Sequence, residues 1–193
     1  MMDIIEKVFT WSIPLLVIFL VFRSRGAHRE LNDVFKALAR ETGGKLSRSD
    51  EVRYPVLSVH HSGRSFTITN DLATGGKVWV TKLHMDSHLS QPFKLRIQPT
   101  DRIEEFSKKM GFQDVKLGNP QFDEQYLVKT QDASMARKIM NEELQQLLVK
   151  LSPLRPELWI TEKYISVSTQ MQYEIEGYRK LLKLGYELCE TVR

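Results

Sequence analysis

The chain has 193 residues, with 28 Lys and Arg against 24 Asp and Glu and a formal net charge of +4 at pH 7. No run of five basic residues and no interleaved aromatic pattern accompanies this mild basic excess, which argues against nucleic-acid binding. The single cysteine, Cys189, excludes an internal disulfide, which suits a reducing compartment and also many periplasmic domains.

An apolar segment near the start, Val8 to Phe22 (VFTWSIPLLVIFLVF), predicts a transmembrane anchor. A helix rises about 1.5 Å per residue, so this segment covers roughly 22 Å, and extension back to Ile4 brings it to about 28 Å. Ile4 to Phe22 is therefore the predicted contact with the lipid bilayer. A buried core helix and a cleaved signal peptide are the alternatives. The signal peptide fits poorly, because the basic residues follow the segment and no small-residue cleavage site ends it.

The charges around this segment predict its orientation. Arg23, Arg25 and Arg29 follow it and only Lys7 precedes it, and basic residues near a span are retained on the cytoplasmic side. We expect a single-pass protein of the bacterial inner (cytoplasmic) membrane with its main domain in the cytoplasm. The predicted organisation is an anchor over 1–23, a juxtamembrane amphipathic helix over 24–44 and an α+β soluble domain over 45–193.

The first predicted helix after the anchor runs from Ala27 to Glu41, and Gly43 and Gly44 end it. Its apolar residues recur at helical spacing: Leu31, Val34, Phe35 and Leu38. The helix either lies on the lipid surface or docks on the domain behind it. The narrow apolar stripe and the mixed charges of the polar face favour docking.

From Val52 to Gln98 the apolar period changes to two, which predicts strands. The predicted strands are Tyr54 to His60, Ser65 to Thr69, Lys77 to His84 and Phe93 to Gln98. The breaks between the first three carry turn residues: Ser62-Gly63, Asn70-Asp71 and Gly75-Gly76. Short connections between consecutive strands predict an antiparallel meander with one buried face.

The second half predicts mixed helices and strands. We first expect a helix over Asp101 to Met110, a turn at Gly118-Asn119-Pro120 and a strand over Gln121 to Thr130. A helix over Ala133 to Leu151 follows, with Asp132 as its N-cap. The chain then continues with a hairpin of Leu158 to Thr161 with Tyr164 to Ser168 and ends in a helix over Met171 to Val192. In the last helix, Gly177 and Gly185 indicate a close backbone approach. The predicted fold class is α+β: a transmembrane helix followed by a mainly antiparallel sheet covered by helices.

The residue types that could carry chemistry form no convincing site. His84 and His88 have ligand spacing but no accompanying Glu, and His60 and His61 are neighbours in a strand and point to opposite faces. A metal site would need His60 or His61 to converge with His84 across strands.

The remaining candidates have simpler interpretations. Gly75-Gly76-Lys77 is better explained as a turn than as a phosphate loop, and Asp123-Glu124 as a solvated strand edge. Cys189 lies on an apolar helix face and is expected to be buried. Trp79 and Trp159 are expected to be packing residues. No catalytic, cofactor-binding or metal-ligating residue is assigned.

The segment from Gly118 to Leu151 resembles a pattern in uncharacterised bacterial membrane-anchored proteins, a G-(D/N)-P-x-F-D opening followed by a strand, an Asp-capped helix and a leucine-rich end. The residues that carry the resemblance are Gly118, Asn119, Pro120, Phe122, Asp123 and Asp132. A turn at His61-Ser62-Gly63-Arg64 resembles the earlier part of such proteins. The resemblance implies a bacterial origin and a shared fold, and it carries no activity.

The sequence combines a predicted anchor with regularly spaced apolar residues that predict a folded core, and it contains no catalytic motif. These features favour a non-catalytic accessory, scaffold or assembly subunit of a larger bacterial membrane complex. Its expected partner is an integral membrane protein. A membrane-tethered binding module for a small or lipidic ligand is the first alternative, and a cavity above about 300 Å³ would support it. An enzyme with a motif-free active site is the second, and converging side chains with shifted pKa values would support it.

Overall fold

A computed structural model describes residues 30–47, 54–73, 78–101 and 112–192. The predicted anchor, Val8 to Phe22, and nearly all of the predicted helix from Asp101 to Met110 lie outside these residues. Within the described ranges, no helix has both the length and the apolar character needed to cross a membrane.

The described residues form a two-layer α+β structure. The strands are β1 (Lys45–Ser47), β2 (Val56–His61), β3 (Arg64–Leu72), β4 (Trp79–Asp86), β5 (Lys94–Pro99), β6 (Gln113–Val115), β7 (Tyr126–Thr130), β8 (Glu157–Thr161) and β9 (Tyr164–Gln170). The helices are α1 (30–42), α2 (Pro120–Gln125), α3 (Ala133–Ile139), α4 (Glu142–Lys150) and α5 (Ile175–Thr191), with a 3-10 turn at Ser152–Leu154.

All nine described strands join one antiparallel sheet, in the order β1-β2-β3-β4-β9-β8-β5-β7-β6. The predicted meander is confirmed for β2, β3 and β4, and the predicted hairpin is β8 with β9. The fourth predicted strand is β5, but its place beside β4 was wrong, because β9 and β8 lie between them. The two short strands β1 and β6 were not predicted.

Three local predictions differ from the structure. Asn70 and Asp71 continue β3 and do not form a turn. The first half of the predicted strand Gln121 to Thr130 is α2, because Asn119 caps a helix that begins at Pro120. The predicted helix over Ala133 to Leu151 is divided into α3 and α4, and Asn141 starts the second one by accepting from the Leu144 N–H at 2.9 Å. The predicted cap at Asp132 is confirmed, with the Met135 N–H at 2.9 Å.

One face of the sheet carries the apolar core. Its inward residues are register partners on successive strands, including Leu57, Ile68, Leu83, Val167, Leu158, Ile97 and Val128. Helix α5 lies directly on this face, since a Cβ added at Gly185 would lie 2.5 Å from Leu83 Cδ2. The close approach predicted for this glycine is therefore confirmed. The Phe35 ring of α1 packs edge-on against Tyr178 of α5 at 5.1 Å, so α1 docks on the domain.

A closed ring of hydrogen bonds ties the start of α5 to β3 and β4. The Tyr178 hydroxyl donates to the Gln172 carbonyl at 2.7 Å, and the Gln172 N–H donates to Thr81 Oγ1 at 2.9 Å. Thr81 Oγ1 donates to Asn70 Oδ1 at 2.6 Å, and Asn70 Nδ2 donates back to Tyr178 at 2.8 Å. Asn70, Thr81 and Tyr178 are buried, so these bonds fix the position of α5 in a medium where an unpaired group is costly.

Burial makes the fold sensitive to alkali. It raises the pKa of Tyr178 to about 12, and it also raises the pKa of Tyr126. An unfolded tyrosine loses its proton near about pH 10, so above that pH the unfolded chain binds fewer protons than the folded one. The free energy of unfolding should therefore fall between about pH 10 and pH 12, by about 1.4 kcal/mol per pH unit for each such tyrosine. Chemical denaturation of the full chain across this window measures the slope. A stability that stays constant up to about pH 12 would contradict it.

Candidate functional site

An open cleft of about 620 Å³ lies between α4 and the segment that leads into α2. One wall includes Asn119, Pro120 and Gln121, and the other includes Gln145, Gln146 and Val149. Its volume exceeds the 300 Å³ expected of a binding module, but its lining is rich in side-chain amides. The cleft is therefore not the wide apolar cavity that an acyl chain would require.

The first wall is built by the loop and the helix start from Leu117 to Asp123. Gly118 adopts a left-handed backbone with φ +91°, which favours glycine. The Asp123 carboxylate accepts the backbone N–H groups of Leu117 and Gly118, both at 3.0 Å. Asn119 caps α2 by accepting from the Phe122 N–H at 3.4 Å. Asp123 thus lies in a helix and braces a loop, which corrects the expectation of a solvated strand edge.

Phe122 fixes this wall to the core. Its side chain is fully buried, and its ring stacks on Tyr126 with centroids 5.1 Å apart. The Tyr126 hydroxyl in turn donates to the Leu148 carbonyl of α4 at 3.0 Å. The two walls are therefore held together by one stack of rings and one buried hydrogen bond below the cleft.

The second wall contains an unusual buried amide. Gln145 is 7% exposed, and its Nε2 donates to the Met140 carbonyl at 2.7 Å. In the described part of the chain, no donor reaches the buried Gln145 Oε1. Nearby, Gln146 Nε2 donates to the Glu142 carboxylate at 3.1 Å. The Gln145 Oε1 atom is itself closed off from solvent, so the exposed amides that a ligand in the cleft could reach are those of Gln121 and Gln146.

The histidines do not converge. His60 and His84 are exposed on the face of the sheet opposite the helices, with β3 between them, and His88 is exposed in the loop after β4. His61 stacks on Tyr186 with ring centroids 4.0 Å apart. In residues 30–47, 54–73, 78–101 and 112–192, no three His, Cys, Asp or Glu side chains lie close enough to hold a metal ion.

The other candidates have structural positions. Cys189 is buried, as expected. Trp79 packs against Tyr54 at 5.0 Å, and Trp159 lies on the open face of the sheet, with the Arg96 guanidinium 5.4 Å from its ring centroid. The predicted turn at Gly75-Gly76-Lys77 lies outside the described residues.

The shifted pKa values among the described residues have causes in packing or in surface ion pairs. Burial raises the pKa of Tyr126, Tyr178 and Tyr186. A hydrogen bond from Arg179 lowers the pKa of the Glu41 carboxyl, and a hydrogen bond from Lys82 lowers that of Asp71. None of these groups lines the cleft between α2 and α4.

The face of the sheet opposite α5 is a second candidate surface, and we refer to it as the open face. One row of register partners crosses it: Lys45, Ser58, Thr67, His84, Ser166, Trp159, Arg96, Lys129 and Asp114. Its centre, on β3, β4 and β9, carries short hydroxyl side chains and the His84 and Tyr164 rings, 5.3 Å apart, together with Lys82, which pairs with Asp71 at 3.0 Å. Towards β5 the Arg96 guanidinium pairs with Glu157 at 2.6 Å.

The described residues form an α+β fold in which a single antiparallel sheet carries the described core helices on one side. It is similar to the crystal structure of the mycobacterial trehalose monomycolate transport factor A, TtfA, with a TM-score of 0.64 and 12% sequence identity. The similarity covers 88% of this chain and 96% of that one. No protein-family model and no curated protein sequence matches the chain. At this identity, the comparison shows a shared fold.

Proposed function

We propose that this chain is a non-catalytic accessory subunit of a lipid-transport complex in a bacterial inner membrane. The observation that carries the proposal is the similarity to a trehalose monomycolate transport factor over nearly the whole length of both chains. The apolar segment Ile4 to Phe22 supports a single-pass anchor, with the domain in the cytoplasm. The resemblance of Gly118 to Asp123 to anchored bacterial proteins agrees with the same assignment.

We further propose that an integral membrane protein docks on the open face. Interface centres are depleted of charged residues and enriched in aromatic rings. Thr67, Ser166 and the rings of His84 and Tyr164 give the middle row of the open face this character, and in the next row Lys82 is paired with Asp71 at 3.0 Å. The exposed side of α4 and α5 is different, since Glu143, Lys150, Lys183 and Glu187 line the groove between these helices. Such an alternation of charges is typical of a solvated helical surface.

Co-purification of the full chain in mild detergent tests this function. We expect an integral membrane protein to accompany the chain at a fixed stoichiometry. Ser166→Arg places a long charged side chain at the centre of the open face and should reduce the recovered partner at least about tenfold, because an unpaired charge buried in an interface is strongly unfavourable.

Ser134→Arg is the matched control, since Ser134 is exposed on α3. It should leave the amount of partner unchanged, and both variants should keep the melting temperature of the parent chain. A chain that purifies alone would overturn the accessory function. Equal loss of the partner in both variants would overturn the open face as its docking surface.

A further inference from the structure

We infer that one end of the sheet touches the lipid bilayer that holds the predicted anchor. The contact surface, which we call the apolar end, comprises Leu72, Val78 and Trp79 at the end of the β3–β4 hairpin, with Tyr54 and Tyr173 beside them. The inference rests on the proposed function, because it uses the anchor that this function assigns. It adds a second lipid contact, made by the folded domain itself.

Large apolar side chains are exposed together at this end. Leu72 is 39% exposed and Val78 is 59% exposed. Leu72 and Trp79 are the last register partners of β3 and β4, and the Trp79 ring packs edge-on against Tyr54 at 5.0 Å. Single exposed apolar residues are common in proteins, whereas a contiguous group of them is typical of a binding surface.

Tyr173 belongs to the same end of the molecule. Its neighbour Gln172 donates its backbone N–H to Thr81 Oγ1 at 2.9 Å, and Thr81 is two residues from Trp79. Tyr173 is itself 60% exposed. Trp and Tyr rings are enriched where a membrane meets water, because each joins an apolar ring to a polar group. The aromatic side chains at the apolar end therefore fit this boundary.

The hairpin presents apolar side chains on both of its faces. Trp79 points to the same side of the sheet as Thr81, the side that carries the helices, and its partner Leu72 points the same way. Val78 continues the hairpin, since its carbonyl accepts from the Ala73 N–H at 2.7 Å, and alternation directs its side chain to the opposite side. A docking protein would cover one of these faces. A hairpin end inserted among lipids has both faces covered.

The charged side chains next to the apolar end are paired with one another. Lys82 bonds Asp71 at 3.0 Å, and Arg179 bonds Glu41 at 2.6 Å and Glu176 at 3.3 Å. Recognition of anionic headgroups uses clusters of basic residues, and these pairs supply no basic excess. The contact therefore depends on apolar insertion, and a neutral lipid suffices for it.

The polypeptide enters the domain near the same end. The Phe35 ring of α1 lies 5.1 Å from the Tyr178 ring, and the Tyr178 hydroxyl donates to the Gln172 carbonyl at 2.7 Å. Glu30, at the start of the described part of α1, lies five residues before Phe35, about 8 Å along the helix. Residues 23–29 join Glu30 to the predicted anchor and span at most about 25 Å. The apolar end is thus within reach of the bilayer.

A tethered domain needs only a weak lipid affinity to hold this contact. The anchor keeps the apolar end close to the bilayer, so the second contact forms as an intramolecular event. With this end among the headgroups, the strands stand on the membrane and the open face points sideways. The open face is then presented to an integral membrane protein in the same bilayer.

Quenching of a fluorescent label by lipid tests the inference. The full chain is reconstituted into phosphatidylcholine vesicles with an environment-sensitive label on Val78→Cys. Cys189 is buried, and labelling of the parent chain measures its background. Phosphatidylcholine with a nitroxide near the start of its acyl chain should reduce the fluorescence about twofold, because interfacial contacts reach about 5–10 Å into the boundary of headgroups and acyl chains.

Two further label positions define the contact. Tyr173→Cys should be quenched to a similar extent. Ser134→Cys is the matched control, because Ser134 is exposed on α3 at the opposite end of the sheet. Register partners lead from Thr130, just before α3, to Met85, which lies six residues along β4 from Trp79, about 20 Å. A label on Ser134→Cys should keep its fluorescence.

A charge at the apolar end tests whether its apolar character makes the contact. Leu72→Glu in the labelled Val78→Cys chain should remove most of the quenching, because a carboxylate is unfavourable among lipids. Leu72 is already partly exposed, so the melting temperature should stay close to that of the parent chain. Unchanged quenching in this variant would overturn an apolar lipid contact.

Equal quenching at residues 78 and 134, or no quenching at residue 78, would overturn the inference. Protection from aqueous iodide without quenching by lipid would assign the apolar end to the co-purified partner or to a second copy of the chain, and would also overturn it. The proposed function is tested separately by co-purification. A chain that purifies alone but is quenched at residue 78 would lose the accessory function and keep the membrane contact.

Discussion

Replacing Phe122 by alanine is expected to lower the free energy of unfolding by about 3–5 kcal/mol. The Phe122 side chain is fully buried, so its removal leaves a cavity below the cleft wall and removes the ring that stacks on Tyr126 at 5.1 Å. Chemical denaturation of the full chain, followed by circular dichroism, measures the change.

Gln121→Ala is the control for this substitution. Gln121 precedes Phe122 in α2 but is exposed, so its truncation should change the free energy of unfolding by no more than about 0.5 kcal/mol. A Phe122→Ala chain that loses less than about 1 kcal/mol would show that α2 contributes little to the core.

The local hairpins of this fold could be predicted because their signals lie in adjacent residues. Ser62 and Gly63, with φ of 50° and 76°, form the turn that joins β2 to β3. The hairpin of β8 with β9 was predicted from its strands, although Glu162-Lys163 is an unusual turn. The structure explains it, because Thr161 Oγ1 accepts the N–H groups of Lys163 and Tyr164 at 3.2 and 3.0 Å. A threonine hydroxyl here forms the local hydrogen bonds to the backbone that Asp and Asn side chains form in commoner turns.

The pairing of β5 could not be predicted, because alternation of apolar residues fixes the face that a strand buries and leaves its neighbours undetermined. The residues of β5 pair with those of β8, such as Arg96 with Trp159, about sixty positions away. Asn70 was misassigned for a related reason. Asn-Asp is a turn signal, but the Asn70 amide finds partners in Thr81 and in the distant Tyr178, so the strand continues through it.

The candidate site was missed because the two segments that form it are separated in the chain by β7 and α3, and their packing against each other is not encoded in adjacent residues. One local signal was present: Asn119-Pro120 followed by Asp123 is typical of a helix start, with a cap, a proline in the first turn and an acidic residue after it. That signal reveals α2 but not the cleft. The Gln145 acceptor depends on the break between α3 and α4, since Met140 at that break supplies the carbonyl that holds the amide.

Tyr178→Phe is expected to lower the free energy of unfolding by about 2–4 kcal/mol while leaving the volume of the core nearly unchanged. The hydroxyl both donates to the Gln172 carbonyl and accepts from Asn70, so its removal leaves one acceptor and one donor without a partner beneath α1 and α5. Each unpaired buried group costs about 1–3 kcal/mol. The slope of stability between about pH 10 and pH 12 should also become smaller, since one raised pKa is removed.

Tyr173→Phe is the matched control, because Tyr173 is 60% exposed and its loss should change stability by no more than about 0.5 kcal/mol. Thr81→Val tests whether the ring acts as a unit. Because Thr81 donates to Asn70, the double variant with Tyr178→Phe should lose about 0.5–3 kcal/mol less than the sum of the single losses. Strictly additive losses would mean that the four hydrogen bonds stabilise the sheet and α5 independently of one another.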